Sequence, residues 1–226
     1  MAETLSLRAK IEQSPMGAYQ WMIVAMAAIM NLLDGFDVLA LAFTATAIQN
    51  EFGLTRIELG YLLSAGLFGM AAGSLFLAPL ADKIGRRPLL LMAVLLSTIG
   101  MLGSAFISQY QWLGFWRVIT GFGVGGILVG TNVITSEYSS RKWRSFAISV
   151  YAAGFGVGAV LGGMFAVMLQ GEYGWRSVFL AGAILTGLFL VLLFIWLPES
   201  IDFLTTKQPK NAEVRLNLIA KKIGLA

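Results

Sequence analysis

The 226-residue chain contains no cysteine and no histidine, and only 12% of its residues are charged. Without cysteine, neither a disulfide nor a thiolate metal site can form. Without histidine, proton chemistry near neutral pH must run through carboxylates whose proton affinity is displaced by their surroundings. The same absence excludes a serine–histidine intramembrane protease and a zinc enzyme with histidine ligands. An aspartyl intramembrane protease carries its two aspartates on different helices, whereas the pair that stands out here shares one. No paired Asn-Pro-Ala segments or filter sequence point to a water or ion channel. The net charge of +4 is not a nucleic-acid signal, because the basic residues gather beside helix ends. The first 20 residues are polar and hold no short apolar core with a cleavage site, so no removable signal peptide is expected.

What is present is apolar length. Hydrophobic residues make up 58% of the chain, the composition of a polytopic, all-α membrane protein. Six runs reach the ~20 residues that cross a bilayer, and they predict helices at about 20–49, 58–80, 89–107, 112–136, 145–170 and 175–197. Residues 1–19 read as a polar lead and 198–226 as a polar tail with a weak amphipathic helix near Asn211–Ile223. Thirteen of the 16 Lys and Arg residues fall in the lead, the tail, the Asp82–Pro88 loop or the Glu137–Arg144 loop. That asymmetry predicts cytoplasmic termini for a six-span protein of the cell (inner) membrane.

The first span holds Asn31-Leu32-Leu33-Asp34-Gly35-Phe36-Asp37, two carboxylates midway along an apolar run from Trp21 to Ala47. A carboxylate at that depth costs about 2.5 kcal/mol or more and marks a functional position by default. Spacing of three puts Asp34 and Asp37 on one helix face, with Asn31 a turn behind. Arg117, in the fourth span, lies at about the same depth when helix rise is counted from the outer ends. It is the natural partner of Asp37 and, with its planar fork of donors, an anchor for an anionic solute. Phe36, Phe43, Phe115 and Phe122 are candidates to pack on a substrate ring.

Glycines recur at close-packing spacing in the second, fourth and fifth spans: Gly69 and Gly73, Gly121 and Gly125, and Gly154, Gly158 and Gly162. The second and fifth share a faint likeness, Ser64-Ala65-Gly66-Leu67-Phe68-Gly69 beside Ala152-Ala153-Gly154-Phe155-Gly156, as a three-plus-three repeat would produce. The Asp82–Pro88 turn sets Asp82 among Lys83, Arg86 and Arg87, with Gly85 allowing the bend. Glu137 closes the fourth span near Arg141 and Arg144. These read as reversible ion pairs holding the cytoplasmic side shut.

The stretch Ala78-Pro79-Leu80-Ala81-Asp82-Lys83-Ile84-Gly85-Arg86-Arg87 resembles the loop signature of the major facilitator superfamily, with Ala78 where glycine is usual. Arg117-Val118-Ile119-Thr120-Gly121-Phe122-Gly123-Val124-Gly125 resembles its helix 4 signature, and Leu197-Pro198-Glu199-Ser200 the motif after helix 6. Asp34-Gly35-Phe36-Asp37 is similar to the first-helix motif of the aromatic acid:proton symporters. The resemblance implies twelve helices in two halves, of which this chain matches the amino-terminal one. It implies transport by alternating access, not catalysis, of benzoate- or 4-hydroxybenzoate-like carboxylates. The proton is then the coupling ion, with no other cofactor and no metal. Functional roles fall on Asp34, Asp37, Arg117 and Glu137, and Asp82, Gly85 and Arg86 match the loop signature. A second six-helix half, in trans or as a second copy, is the implied partner. The alternatives are a non-transporting fragment that binds such a half, or a symporter of another organic anion.

Overall fold

Four of the six spanning helices run past both ends of their apolar runs, because a helix stops where its terminal N–H and C=O groups find partners rather than where hydrophobicity fades. A computed structural model describes residues 2–225, with side chains from Leu7 onward. Its elements are α1 (Ala2–Gln13), α2 (Ala18–Phe52), α3 (Arg56–Ile84), α4 (Arg86–Ala105), α5 (Tyr110–Tyr138), α6 (Arg144–Tyr173), α7 (Trp175–Trp196), α8 (Ile201–Lys207) and α9 (Ala212–Ile223). No strand occurs among the described residues. The six helices α2 to α7 are long and apolar enough to cross a membrane.

The caps set these limits. Helix α2 ends on Gly53 in the left-handed region (φ 63°), its N–H bonded to the Gln49 carbonyl. Helix α3 begins two residues later with a reciprocal cap: the Thr55 N–H donates to Glu58 Oε2 at 2.8 Å, and the Glu58 N–H to Thr55 Oγ1 at 3.3 Å. The gap of residues 50–57 expected between the first two spans therefore shrinks to Gly53–Thr55. At its other end α3 continues through Pro79 to Ile84, beyond the limit at Leu80 that the apolar pattern suggests. The polar lead contains α1, and the tail holds α8 as well as α9; Met1 and Ala226 lie outside the described residues.

Two helix pairs form the bundle. Helix α2 lies along α6, α3 lies along α5, and α4 packs on both α5 and α7; α2 and α5 meet at the centre. Exchanging the first three spans with the last three maps the α2–α6 pair onto the α5–α3 pair, as a repeat requires. Each pair is close enough for backbone contact. A Cβ on Gly69 or Gly73 would run into the Val118 or Phe122 carbonyl, and one on Gly121 or Gly125 into that of Gly66 or Met70. Across the other pair, Gly158 abuts the Leu32 carbonyl and Gly35 that of Phe155. Absence of side chains lets dispersion act between whole backbones, a substitute for the hydrophobic effect that lipid does not provide.

Burial divides the helices by role. In their most apolar windows, α2 and α5 are each 61% buried, but α3 is 22% and α6 17%. Leu67, Phe68, Leu75 and Phe76 on α3, and Val160, Met164 and Met168 on α6, are exposed. At one end of the bundle α1, α8 and α9 add Leu7, Ile11, Ile201, Leu204, Leu216 and Ile219 to the core beneath α2, α5 and α7.

The close approach at Gly158 makes a direct prediction. Gly158→Leu lowers the thermal unfolding midpoint of the detergent-purified chain, reflecting overpacking of about 1–3 kcal/mol or more. Gly156→Ala, where a Cβ meets nothing within 4 Å, leaves it unchanged. Circular dichroism melts of the two variants read the difference.

Candidate functional site

At the centre of the bundle Asp37 on α2 and Arg117 on α5 form an ion pair, Nη1 to Oδ1 at 2.9 Å, with each side chain only 3% exposed. The guanidinium does not grip both carboxylate oxygens. Its second terminal nitrogen, Nη2, donates to the main-chain carbonyl of Asp37 at 2.8 Å. The other carboxylate oxygen accepts a 2.5 Å hydrogen bond from Ser97 Oγ on α4. Met101 Sδ lies 3.6 Å from Nη1, and the Phe179 ring of α7 lies 5.9 Å from the guanidinium carbon. A serine and an arginine thus fix the carboxylate, one at each oxygen. Arg117 Nε has no hydrogen-bond partner among the described residues. A small pocket reaches the guanidinium between α2, α3 and α5, lined by Val38, Leu41, Leu63, Gly66, Leu67 and Met70.

One turn away Asp34 is also buried, and its Oδ2 has no hydrogen-bond partner. Asn31 donates from Nδ2 to the Tyr151 carbonyl at 2.9 Å, which ties α2 to α6, while its Oδ1 is unpartnered. The Tyr151 and Thr131 hydroxyls stand 3.1 Å apart nearby on α6 and α5. Two buried acceptors without donors in one stretch of helix are costly unless a proton or a ligand group fills the gap.

The residues expected to form ion pairs at the bundle end divide. Asp82 does pair with Arg86, at 2.7 Å. Glu137 pairs with neither Arg141 nor Arg144, correcting the reading drawn from their closeness in sequence. Its carboxylate accepts from Ser200 Oγ at 2.9 Å and the Ile201 N–H at 2.8 Å, at the start of α8. Arg144 pairs with Glu12 of α1 at 2.8 Å, and the Arg141 N–H donates to the Glu12 carbonyl. Arg8 of α1 pairs with Asp202 of α8. The lead is therefore a strap across this end.

Glu199, singled out in the sequence only as part of a motif, accepts the N–H groups of Arg86 and Arg87 at 2.8 and 3.0 Å. It places a negative charge at the positive end of α4. Gly85 is required twice: its φ of 103° suits only glycine, and a Cβ there would strike the Glu199 carboxylate. Arg87 also donates from Nη2 to the Phe194 carbonyl at 2.6 Å. The four phenylalanines do not converge. Phe36 is core, against Gly162 and Gly182; Phe115 is half exposed beside Trp112; and Phe122 packs by Leu77. Phe43 is half-buried and packs against Gly163 of α6. Among the described residues no group of three or more acidic side chains is placed to hold a metal.

The Major Facilitator Superfamily profile matches residues 27–222. The 4-hydroxybenzoate transporter PcaK of Pseudomonas putida is 34% identical over 218 residues, 96% of this chain and 49% of that protein. The gallate transporter of the same organism is 36% identical over 204 residues, 90% of this chain and 45% of its own length. The chain spans about half the length of the curated relatives it matches. Among solved structures, the xylose transporter XylE from E. coli, in a partially occluded inward open conformation, superposes with a TM-score of 0.80. It is 23% identical, with 92% of this chain and 56% of that one covered, a likeness of fold.

Two measurements follow from this geometry. Arg117→Ala leaves the Asp37 carboxylate buried without its counter-charge, and is expected to cost about 3–5 kcal/mol in denaturant unfolding. The second concerns acid. The Arg144 guanidinium bonded to Glu12 holds that carboxyl below its usual value of 4.5. Its contribution to α1 docking is present above that value and is lost as pH falls through the lowered one. Glu12→Gln should therefore reduce the acid dependence of α1 release, with the Arg8–Asp202 pair left to supply the remainder, read as proteolytic cleavage near Pro15 between pH 6 and pH 3.

Proposed function

The chain belongs to the major facilitator superfamily, and from that premise we propose that it is the amino-terminal six-helix half of a proton-coupled symporter of aromatic carboxylates. Its relatives are transporters, and it is a multi-pass membrane protein; the cell (inner) membrane, with both termini cytoplasmic, is the membrane we assign. No chemical step is catalysed, and the proton is the only coupling species. The observation that carries the reading is the buried Asp37–Arg117 pair, with a second, unpartnered carboxylate at Asp34 in the same helix.

Coupling follows from charge balance. While Asp37 is ionised it occupies Arg117, and a substrate carboxylate could bind only by leaving one anion unpaired in a low-dielectric site. A proton delivered through Asp34 to Asp37 removes that anion, and the guanidinium then accepts the carboxylate of a benzoate-like acid. Each cycle thus moves one proton with one carboxylate, and the site returns to its paired state when both leave. Alternating access would expose the pair first to one side and then to the other. Opening of the cytoplasmic side would separate Asp82 from Arg86 and release α8 from Glu137.

The apolar, exposed faces of α3 and α6 support the need for a second six-helix half, in trans or from a second copy. Uptake of radiolabelled 4-hydroxybenzoate into vesicles with an imposed proton gradient tests the proposal. The chain co-expressed with a six-helix carboxyl-terminal half is expected to take up the acid, and Asp37→Asn to reduce this by tenfold or more, a loss of about 1.4 kcal/mol or greater. Absence of uptake of any aromatic acid, with or without the second half, overturns it.

A further inference from the structure

The glycines of α3 do not all do the same thing. Gly69 and Gly73 are pressed against the backbone of α5, and no side chain fits at either. Gly66, one turn earlier, is different. The three atoms nearest a Cβ built there all belong to Arg117: Nη2 at 3.6 Å, and Nε and the carbonyl oxygen at 3.8 Å. These are ordinary contact distances, so alanine fits. Alanine would also favour the helix. What an added methyl would occupy is the recess in front of the guanidinium, the small pocket lined by Val38, Leu41, Leu63 and Met70.

The edge of Arg117 facing this recess is the one left open. Asp37 takes Nη1 through its carboxylate and Nη2 through its main chain, and Nε is a buried donor with no partner. A guanidinium offers a carboxylate two parallel donors along its Nε–Nη2 edge as well as along its Nη1–Nη2 edge. The second edge belongs to Asp37. The first borders the space that Gly66 leaves empty.

We infer that Gly66 is a specificity-determining position: its missing side chain admits the carboxylate end of the transported acid to the Nε edge of Arg117. The inference rests on the symporter reading and refines it. Asp37 then holds Arg117 in place from one edge while the substrate approaches the other, and the bulk that matters most is bulk beside the carboxylate. A ring substituent ortho to the carboxylate lies against the position-66 side chain, whereas a para substituent points away from it.

The test compares uptake by the parent, Gly66→Ala and Gly60→Ala, each co-expressed with the carboxyl-terminal half. The acids are benzoate, 4-hydroxybenzoate and 2-hydroxybenzoate, and each signal is normalised to protein in the membrane. Gly60, on the same helix, has nothing within 4 Å of its Cβ position and serves as the control. Gly66→Ala is expected to raise KM for 2-hydroxybenzoate about tenfold or more, the scale of one misplaced methyl group in a pocket. Benzoate and 4-hydroxybenzoate should shift less, and Gly60→Ala should shift none. Parent uptake that Gly66→Ala leaves unchanged for all three acids overturns the inference and leaves the symporter reading intact. So does a normalised uptake that falls equally for all three acids. Lack of parent uptake of every acid overturns both.

Discussion

Two opposite charges lie between the helices at the centre of the bundle, where neither could persist alone. Asp37 belongs to the α2–α6 pair and Arg117 to the α3–α5 pair, and each pair is locked internally by glycine faces set against carbonyls. The glycine contacts are short-ranged and tolerant of nothing larger than hydrogen. The ion pair ties the two locked units together at the middle of the bundle. Ser97 from α4 donates to the carboxylate, and the Asp37 main-chain carbonyl accepts from the guanidinium. An interaction of this kind adds little net stability over a well-packed apolar contact, but it makes relative position depend on the protonation of one group. That dependence is what a coupled carrier needs.

The opposite principle governs the end of the bundle bearing α1, α8 and α9. There the carboxylates of Glu137 and Glu199 face helix N-termini, taking up N–H groups that would otherwise be orphaned. A carboxylate used as a cap ties one segment to the start of another and needs no basic side chain. Gln20 donates to the Tyr138 carbonyl at 2.7 Å, and Tyr138 donates to the Glu199 carbonyl at 2.7 Å, which links α2, α5 and the entry to α8. Polar side chains thus organise the end of the molecule, and backbone contact organises its middle.

Much of this was legible before any coordinates. Charges within an apolar run are rare enough that Asp34, Asp37 and Arg117 identify themselves, and counting helix rise sets the last two at matching depth. The glycine spacing marked close-packing faces on α3, α5 and α6, but not that α6 would lie along α2. What failed was inference from nearness in sequence. Glu137 stands four residues from Arg141, yet it bonds to N–H groups more than sixty residues on, because a helix N-terminus rivals a basic side chain as a partner. Ser97 gave no signal at all: a serine in an apolar helix commonly satisfies itself on its own backbone. The lead seemed merely polar because Leu7 and Ile11, the residues that dock it, are too few to register as a pattern. Aromatic residues misled for the reverse reason, being abundant and used chiefly for packing.

The position of Arg117 along α5 has a mechanical consequence. Helix α5 runs from Tyr110 to Tyr138, and at 1.5 Å per residue Arg117 lies about 10 Å from the first end and about 32 Å from the second. If the tie to Asp37 acts as a fulcrum, it divides the helix into arms in a ratio of about one to three. A tilt of about 10° would then move the Tyr110 end by about 2 Å and the Tyr138 end, with Glu137, by about 5 Å relative to α8. The bundle is an unequal lever. A displacement smaller than a water molecule at the short end becomes, at the long end, enough to pull a capping carboxylate out of hydrogen-bonding range.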